Sequence, residues 1–267
     1  MIIIIAERIN GTRQAIKAAL LAKDEALIKH EARDQAEAGA NWLDVNAAAE
    51  PDREVELMEW LARTVQAEVK TPLCFDSANP RAIEAGLKLH RNGQPMVNSI
   101  TMETGRHEAV LPLVKQYGAA VVGLAMDDGG IGKSAADRLR VVEKMAEAVS
   151  RHGIPLSDLY VDPLVLTVSS DQESGLIALE VVRGIKAGWP ELKTTAGLSN
   201  ISFGLPNRRL LNRTFLVMLL AAGLNSAIVD PLDQELMAAV TTATALLNQD
   251  PYCKNYLKAH RSGKLTG

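Results

Sequence analysis

The chain has 267 residues, of which 47% are hydrophobic, and 29 basic residues oppose 32 acidic ones for a net charge of −3. This composition allows a large core, and the lack of a long basic run excludes nucleic acid as a partner. Cys74 and Cys253 lie in different settings, which indicates a reducing compartment rather than a disulfide framework. No signal-like start or charge-free apolar run of about 18 residues is present, so we expect a cytoplasmic protein without a membrane partner.

Eight short apolar runs alternate with helical patterns along the chain. Most of these runs are β-branched and are bounded by turn residues, which is typical of buried parallel strands. The predicted strands are Ile2–Ala6, Trp42–Val45, Leu73–Phe75, Met96–Val97, Ala119–Ala125, Leu159–Val161, Thr194–Leu198 and Ser226–Val229.

Amphipathic segments lie between these runs. Capping residues begin several of them, with Asp52 as one candidate N-cap, and glycine follows most of them. The predicted helices are Asp24–Ala38, Asp52–Val69, Pro80–Leu89, Arg106–Tyr117, Ser134–His152, Ser174–Ala187, Asn207–Ala222 and Asp233–Leu247.

A helix that stops at glycine and leads directly into a strand recurs at Gly39, Gly118 and Gly223. This is the connection of a repeated β–α unit, and eight such units in about 250 residues predict an α/β fold, the (β/α)8 TIM barrel. We expect a single domain over residues 1–267. A doubly wound open sheet is the alternative, but the segment Glu7-Arg8-Ile9-Asn10-Gly11 lacks the glycine pattern of a dinucleotide site.

Polar residues follow seven of the eight predicted strands. The carboxyl ends of barrel strands meet at one face, where active sites lie. Each position alone could instead be a turn or cap residue, and this applies above all to Asp44 and Asn46. The set is Glu7 with Asn10, Asp44 with Asn46, Asp76, Asn98, Asp162, Asn200 and Asp230, while the run that ends near Met126-Asp127 is less clear.

The residue types in this set indicate the kind of ligand. The absence of His and Cys from it argues against zinc or iron, whereas Asp76 and Asp162 leave an all-oxygen magnesium site as an alternative. Carboxylates accept hydrogen bonds, and amides both donate and accept them. The set therefore suits a flat heterocycle such as a pterin, whose 2-amino and N3–H groups can donate two parallel hydrogen bonds to one carboxylate.

Five segments of the chain together resemble the pterin-binding methyltransferases. This family includes the folate domain of cobalamin-dependent methionine synthase and the methyltetrahydrofolate:corrinoid protein methyltransferases. The resemblance extends over essentially the whole chain, and Ala6 is a departure because relatives often have Gly before the glutamate. The segments are Ile-Ala-Glu7-Arg8-Ile9-Asn10-Gly11, Leu-Cys-Phe-Asp76-Ser77, Asn98-Ser99-Ile, Asp162-Pro163-Leu and Gly-Leu-Ser-Asn200-Ile-Ser-Phe-Gly-Leu-Pro.

The resemblance implies a methyltransferase of anaerobic one-carbon metabolism, in acetogenesis or in O- or N-demethylation. The methyl group would move between N5 of tetrahydrofolate and the cobalt of a corrinoid (cobalamin) that is carried on a separate protein. With no further domain of methionine synthase, the chain resembles the small anaerobic enzymes, which are typically homodimers without a metal of their own. The direction of transfer and the identity of the corrinoid protein are left open.

The same resemblance implies roles for individual residues. Asn200 would accept a hydrogen bond from protonated N5 and so ease cleavage of the C–N bond. Asp76 and Asp162 would join it in the catalytic set. Together with Asn98 they would hold the pterin ring and tune its proton affinity, and Glu7 would help to order this network. The implied pterin-binding set is Glu7, Asp76, Asn98, Asp162, Ser199, Asn200 and Arg208.

The arginines after this loop have two interpretations. Arg208, Arg209 and Arg213 could meet the glutamate tail of folate or an acidic surface of the corrinoid protein. They could equally form a solvated helix start, with Arg213 in a structural ion pair.

Three other functions remain as alternatives. A dihydropteroate-synthase-like enzyme shares the barrel, but the segment Ile-Val-Asp230-Pro231 lacks the Arg-x-His motif of those synthases. A non-catalytic folate-binding subunit would bind folate without turnover. A metal-dependent barrel enzyme would use Asp76 and Asp162.

Overall fold

The computed structural model describes residues 2–265, and a sheet of parallel strands forms its centre. A two-residue strand, β6, pairs antiparallel with β5 beside this sheet. The strands are β1 (Ile3–Asn10), β2 (Trp42–Asn46), β3 (Leu73–Asp76), β4 (Met96–Met102), β5 (Ala120–Asp127), β6 (Gly130–Ile131), β7 (Leu159–Asp162), β8 (Lys193–Thr194) and β9 (Ser226–Val229).

The strand order is that of a barrel. Along the sheet it runs β8-β7-β5-β4-β3-β2-β1-β9, so each neighbour in sequence is also a neighbour in space, and the first strand pairs with the last. The seam between β8 and β9 is joined just beyond β8, where the Ile228 amide donates to the Ala196 carbonyl at 3.0 Å and Gly197 bridges to Ile228. The predicted (β/α)8 barrel is confirmed.

Helices surround the strands, and all eight predicted helices are confirmed to within two residues at each end. Two further helices, α1 and α10, were not predicted. The helices are α1 (Gln14–Ala22), α2 (Glu25–Glu37), α3 (Glu54–Glu68), α4 (Pro80–Leu89), α5 (Arg106–Tyr117), α6 (Ala135–Arg151), α7 (Ser174–Gly188), α8 (Arg208–Ala222), α9 (Gln234–Leu246) and α10 (Lys254–Arg261). Within residues 2–265, none of these helices is long and apolar enough to cross a membrane.

Some predicted boundaries were wrong. Glu7 lies inside β1, which continues to Asn10, rather than after its end. The strand predicted over Thr194–Leu198 ends at Thr194, so Asn200 lies in a following 3-10 turn, Leu198–Ser202. Asp52 does not cap α3, because it lies in a separate 3-10 turn and Arg53 precedes the helix without a side-chain cap bond. The predicted domain, 1–267, also includes residues 1, 266 and 267, which lie outside the described residues.

Apolar side chains fill the interior of the barrel below its carboxyl end. The Trp42 and Tyr160 rings meet edge to face with their centroids 6.1 Å apart, and Lys193 Nζ donates to the Tyr160 hydroxyl at 3.1 Å. Lys193 and Trp42 begin their strands, so this group closes the amino end of the barrel. The acids and amides of the predicted set lie at the opposite, carboxyl end. The buried interior residues are Ile5, Cys74, Met96, Ala120, Val122 and Tyr160.

The contact between Gly86 of α4 and the buried ring of Phe75 on β3 is a test of this packing. A Cβ at position 86 would overlap the ring. We expect Gly86→Ala to lower the free energy of unfolding by about 1–2 kcal/mol, because overpacking outweighs the gain in helix propensity. Urea denaturation measures this. Gly188→Ala is the control, since a Cβ there meets nothing within 4 Å; equal stability of the two variants would contradict the prediction.

Candidate functional site

Three neighbouring strands bring an aspartate and two amides into one row at the carboxyl end of the barrel. Asn46 of β2 is paired with Asp76 of β3, which in turn is paired with Asn98 of β4. Asn46 Nδ2 donates to Asp76 Oδ2 at 3.0 Å, and Asn98 Nδ2 donates to the buried Asp44 at 3.3 Å. The Asn98 Oδ1 atom and the second oxygen of Asp76 accept no hydrogen bond from residues 2–265, so both are available to a ligand.

Burial changes the protonation of these carboxyl groups. It is the largest cause that raises the pKa of Asp44 well above its ordinary value, and the nearby Asp76 raises it further. The pKa of Asp76 is also raised by burial first, while the Asn46 hydrogen bond and the Arg106 charge oppose this. Burial and the proximity of two carboxyl groups therefore both disfavour the charged form of this pair.

Asp162 and Asn200 meet across Gly197 on the other side of the barrel mouth. Asp162 is buried, and its oxygens accept the Leu164 amide at 2.7 Å and the Gly197 amide at 3.1 Å. Burial raises the pKa of Asp162 to about 6 despite these bonds. A Cβ on Gly197 would lie 3.9 Å from Asp162 Oδ2 and 4.0 Å from Asn200 Nδ2. Glycine therefore leaves open the space between an acid and an exposed amide.

Glu7 lines a cleft over the ends of β1 and β9. Two adjoining cavities of about 470 and 400 Å³ share Glu7, Arg8, Ser199 and Asp230. The pKa of Glu7 is raised to about 7, first by burial and then by the Asp230 charge, while the Arg13 and Arg208 charges lower it. Glu7 is therefore an acid that changes charge near neutral pH.

The loop that carries Asn200 is held by Arg208, the first residue of α8. Its Nη2 donates to the Ser199 carbonyl at 2.7 Å and its Nε to the Ser202 hydroxyl at 3.1 Å. The Ser202 hydroxyl donates in turn to Asn212 Oδ1 at 2.7 Å. Arg208 thus holds the loop on both sides of Asn200, through the Ser199 carbonyl and the Ser202 hydroxyl. Arg213 forms ion pairs with Asp233 and Glu235, as in the structural interpretation of this residue.

In Asn10 and Asp230 of the predicted strand-end set, and in the less clear Asp127, the side-chain oxygens bond to turn amides and neighbouring side chains. Asn10 Oδ1 accepts the Thr12 amide at 2.9 Å and the Thr12 hydroxyl at 2.7 Å. Asp127 accepts the Gly129 amide at 3.0 Å and pairs with a lysine of α6. Asp230 accepts the Leu232 amide at 2.9 Å and an Arg8 nitrogen at 2.9 Å. Within residues 2–265, no group of three or more His, Cys, Asp or Glu side chains is arranged to hold a metal ion.

This arrangement of acids and amides at the mouth of a barrel coincides with a family pattern. Residues 6–230 match the family model described as pterin binding enzyme. The chain belongs to the pterin-binding enzyme family. The resemblance inferred from the five sequence segments is confirmed.

Two relatives have similar sequences. The chain is 36% identical over 265 residues to the methylcorrinoid:tetrahydrofolate methyltransferase of Eubacterium limosum, covering 98% of this chain and 97% of that one. It is 32% identical over 241 residues to the methionine synthase of Mycobacterium tuberculosis, covering 85% of this chain but 20% of that one. The first match therefore extends over both chains, and the second covers one part of a longer protein.

Solved structures of pterin-binding enzymes have a similar fold. A dihydropteroate synthase from Xanthomonas albilineans superposes with a TM-score of 0.70 at 17% identity, covering 92% of each chain. The enzyme from Thermus thermophilus gives 0.66 at 19% identity and covers 88% of this chain and 92% of that one. At such identities the likeness concerns the barrel fold alone.

Two arginines that support this pterin-binding barrel were not predicted from the sequence. Arg138 is 1% exposed, and its Nη1 donates to the carbonyls of Pro163 and Leu164, both at 2.7 Å. It lies on the apolar stripe of α6, and a charge on such a stripe is a usable sequence signal. Arg106 donates to the carbonyls of Ser77 and Ser99, both at 3.2 Å, and only the structure reveals this.

Replacing Arg138 should destabilise the protein and its Asp162 loop. In Arg138→Met, two buried carbonyls lose their donor, so we expect the free energy of unfolding to fall by roughly 2–4 kcal/mol. The matched control is Arg140→Met on the same helix, where an exposed ion pair is lost and the change should stay within about 0.5 kcal/mol. Urea denaturation of both variants measures this, and an equal loss in the two would contradict the role given to Arg138.

The raised pKa of Glu7 predicts a pH dependence of stability. Between its ordinary value of 4.5 and its folded value of about 7, the folded protein holds a proton that the unfolded chain has released. Stability from this group therefore falls as pH rises through that window. Glu7→Gln mimics the protonated form, so we expect it to reduce the loss of unfolding free energy between about pH 5 and pH 8 by roughly 1–3 kcal/mol.

Chemical denaturation at the two pH values measures this change. Glu59→Gln on the exposed side of α3 is the control and should keep the wild-type pH dependence. An unaltered pH dependence in Glu7→Gln would show that the Glu7 carboxyl is not the titrating group.

Proposed function

We propose that the chain is a methyltransferase that moves a methyl group between N5 of tetrahydrofolate and the cobalt of a corrinoid on a separate protein. The observation that carries this proposal is the convergence of buried acids and amides at the barrel mouth. It is supported by the relative that matches over nearly its full length and is named methylcorrinoid:tetrahydrofolate methyltransferase. Both the folate and the corrinoid are substrates here, and neither is a resident group of this chain.

The groups that bind the pterin ring can form further hydrogen bonds in addition to those they form within the protein. Asp76 and Asp162 accept from the 2-amino and ring N–H groups, since each carboxylate oxygen can accept more than one hydrogen bond. Asn98 anchors its Nδ2 on Asp44 and presents Oδ1 to a further ring N–H. An uncharged ring with several donors suits this site, because burial raises the pKa of its carboxyl groups and a buried carboxylate is stabilised by hydrogen-bond donors.

Asn200 acts at N5, where the bond to the methyl group breaks. In transfer to the corrinoid, cobalt(I) supplies the electron pair of the new Co–C bond, and the pair of the C–N5 bond stays on protonated N5. In the opposite direction, the N5 lone pair takes the methyl group and the cobalt leaves as cobalt(I). The Asn200 oxygen accepts the N5 hydrogen bond in both directions. This bond stabilises the positive charge on protonated N5, which is present while N5 carries the methyl group and absent once the methyl group has left.

We further propose that residues 1–267 form one cytoplasmic pterin-binding unit that associates as a homodimer. Leu210, Val217 and Met218 are exposed along one side of α8, and such an apolar stripe favours association. Both Cys74 and Cys253 are free thiols, in line with a reducing compartment. We expect analytical ultracentrifugation to give a dimer mass for the wild type and a monomer mass for a Val217→Glu, Met218→Glu double variant.

The proposed reaction is tested with methyltetrahydrofolate and cobalt(I) cobalamin, whose conversion to methylcobalamin is followed in the visible spectrum. We expect turnover by the wild type. Asn200→Ala should lower kcat by roughly 10- to 100-fold, the equivalent of one lost buried hydrogen bond, while folate still binds. Asp76→Ala should weaken folate binding itself, as measured by calorimetry.

Gln116→Ala, an exposed amide on the outer helix α5, is the matched control and should retain wild-type kcat. Folate binding without any turnover in the wild type would contradict the proposed enzyme and favour a folate-binding subunit. Wild-type kcat in Asn200→Ala would remove Asn200 from the reaction but leave the activity in place.

A further inference from the structure

An exposed aromatic ring lies at the rim of the site, one turn beyond Asn200. Phe203 is 67% exposed, although phenylalanine is ordinarily among the buried residue types. Its backbone amide donates to the Asn200 carbonyl at 3.1 Å, so the two residues belong to the same 3-10 turn. Phe203 therefore lies one turn of the backbone from the amide that we place at N5 of the folate.

The backbone around this ring is fixed. The Phe203 carbonyl accepts hydrogen bonds from the Thr167 hydroxyl at 2.7 Å and the Ser169 hydroxyl at 2.9 Å. Gly204 follows with a φ of +79°, a conformation that favours glycine and turns the chain sharply after the aromatic residue. Arg208, which holds the same loop, has its guanidinium carbon 5.8 Å from the ring centroid.

The bonds that fix this loop do not require an aromatic side chain. They involve the Phe203 backbone, and a polar residue at 203 would keep them all. A rigid backbone holds this large apolar ring in solvent, so the ring loses little conformational entropy when a ligand covers it. Residues with this property contribute strongly to binding. The ring is therefore better explained by a ligand that covers it than by the stability of the fold.

We propose that Phe203 contacts the corrin macrocycle of the second substrate. This inference rests on the proposed methyl transfer. The macrocycle is a broad and largely apolar plate that surrounds the cobalt on all sides. When the cobalt reaches the methyl group on N5, the plate must extend over the residues next to Asn200, and Phe203 is the exposed apolar residue of that turn.

The proposal predicts a separation between the two substrates. In Phe203→Ala we expect the KM for free cobalt(I) cobalamin to rise about tenfold, whereas the dissociation constant of methyltetrahydrofolate stays at its wild-type value. Phe203→Trp should keep the KM near that of the wild type because it preserves an apolar ring. Leu246→Ala is the matched control, since Leu246 is 82% exposed at the far end of α9.

Three results would overturn the proposal. One is an unchanged KM for cobalamin in Phe203→Ala. Another is an equal weakening of folate binding, which would mean that the ring serves to position Asn200. The third is an effect that occurs only with a protein-bound corrinoid, which would place the ring against the carrier polypeptide.

A separate binding measurement distinguishes this inference from the proposed activity. Binding of hydroxocobalamin to the wild type and to Phe203→Ala is followed by difference spectroscopy without any turnover. Absence of turnover in the wild type contradicts the proposed activity. Equal affinity of both proteins for hydroxocobalamin contradicts the role of Phe203, and about tenfold weaker binding by the variant supports it.

Discussion

Burial of carboxyl groups at the mouth of the barrel is the constraint on which the rest of the site depends. Burial is the largest cause of the raised pKa values of Glu7, Asp44, Asp76 and Asp162. A buried carboxylate without a partner is costly, so such groups either hold a proton or receive hydrogen bonds. Asp44 receives such a bond from Asn98, and burial raises its pKa. The amides in this region thus stabilise the acids and keep their own free atoms directed toward a ligand.

Three arginines place positive charge behind these acids while they hold the surrounding loops. Arg106, Arg138 and Arg208 all donate to backbone carbonyls of loops at the carboxyl ends of strands. The charges of Arg106, Arg138 and Arg208 offset part of the rise that burial causes in the pKa of Asp76, Asp162 and Glu7, respectively. Because each guanidinium donates to backbone carbonyls, it acts on its acid through charge and not through a direct hydrogen bond. At each of the three acids, the arginine that holds the loop therefore also supplies the nearby positive charge.

The sequence predicts the elements of this barrel well where the signal is local. The bounds of α4 agree with the prediction because Pro80 opens the helix and Asn79 caps it. The strand that contains Thr194 was predicted too long, since the Gly197 amide donates to Asp162, 35 residues away, instead of continuing the strand. The helix α10 was not predicted, and none of its residues is buried to produce an apolar stripe.

The candidate site was predictable as a set but not residue by residue. Asn10 and Asp230 stood in the same pattern as Asn98 and Asp76, yet their oxygens are occupied by turn amides. Accepting a turn amide and binding a ligand both require a short polar side chain after a strand, so residue type alone cannot distinguish these two roles. The distinction depends on which backbone amide lies nearby in three dimensions. The same limit applies to Arg138, whose acceptors lie 25 and 26 residues further along the chain.

Burial changes across the mouth of the barrel, and this gradient matches the needs of two different substrates. Asp44 and Asp162 are 3% and 6% exposed, whereas Asn200 and Phe203 are open to solvent. A small ring that makes several hydrogen bonds benefits from the buried side, where water does not compete. A macrocycle on a carrier protein can approach only from the exposed side. In the proposed reaction Asn200 lies between the two substrates, which requires a rigid loop for transfer of the methyl group in either direction. The bonds from Arg208, Thr167 and Ser169 hold this loop.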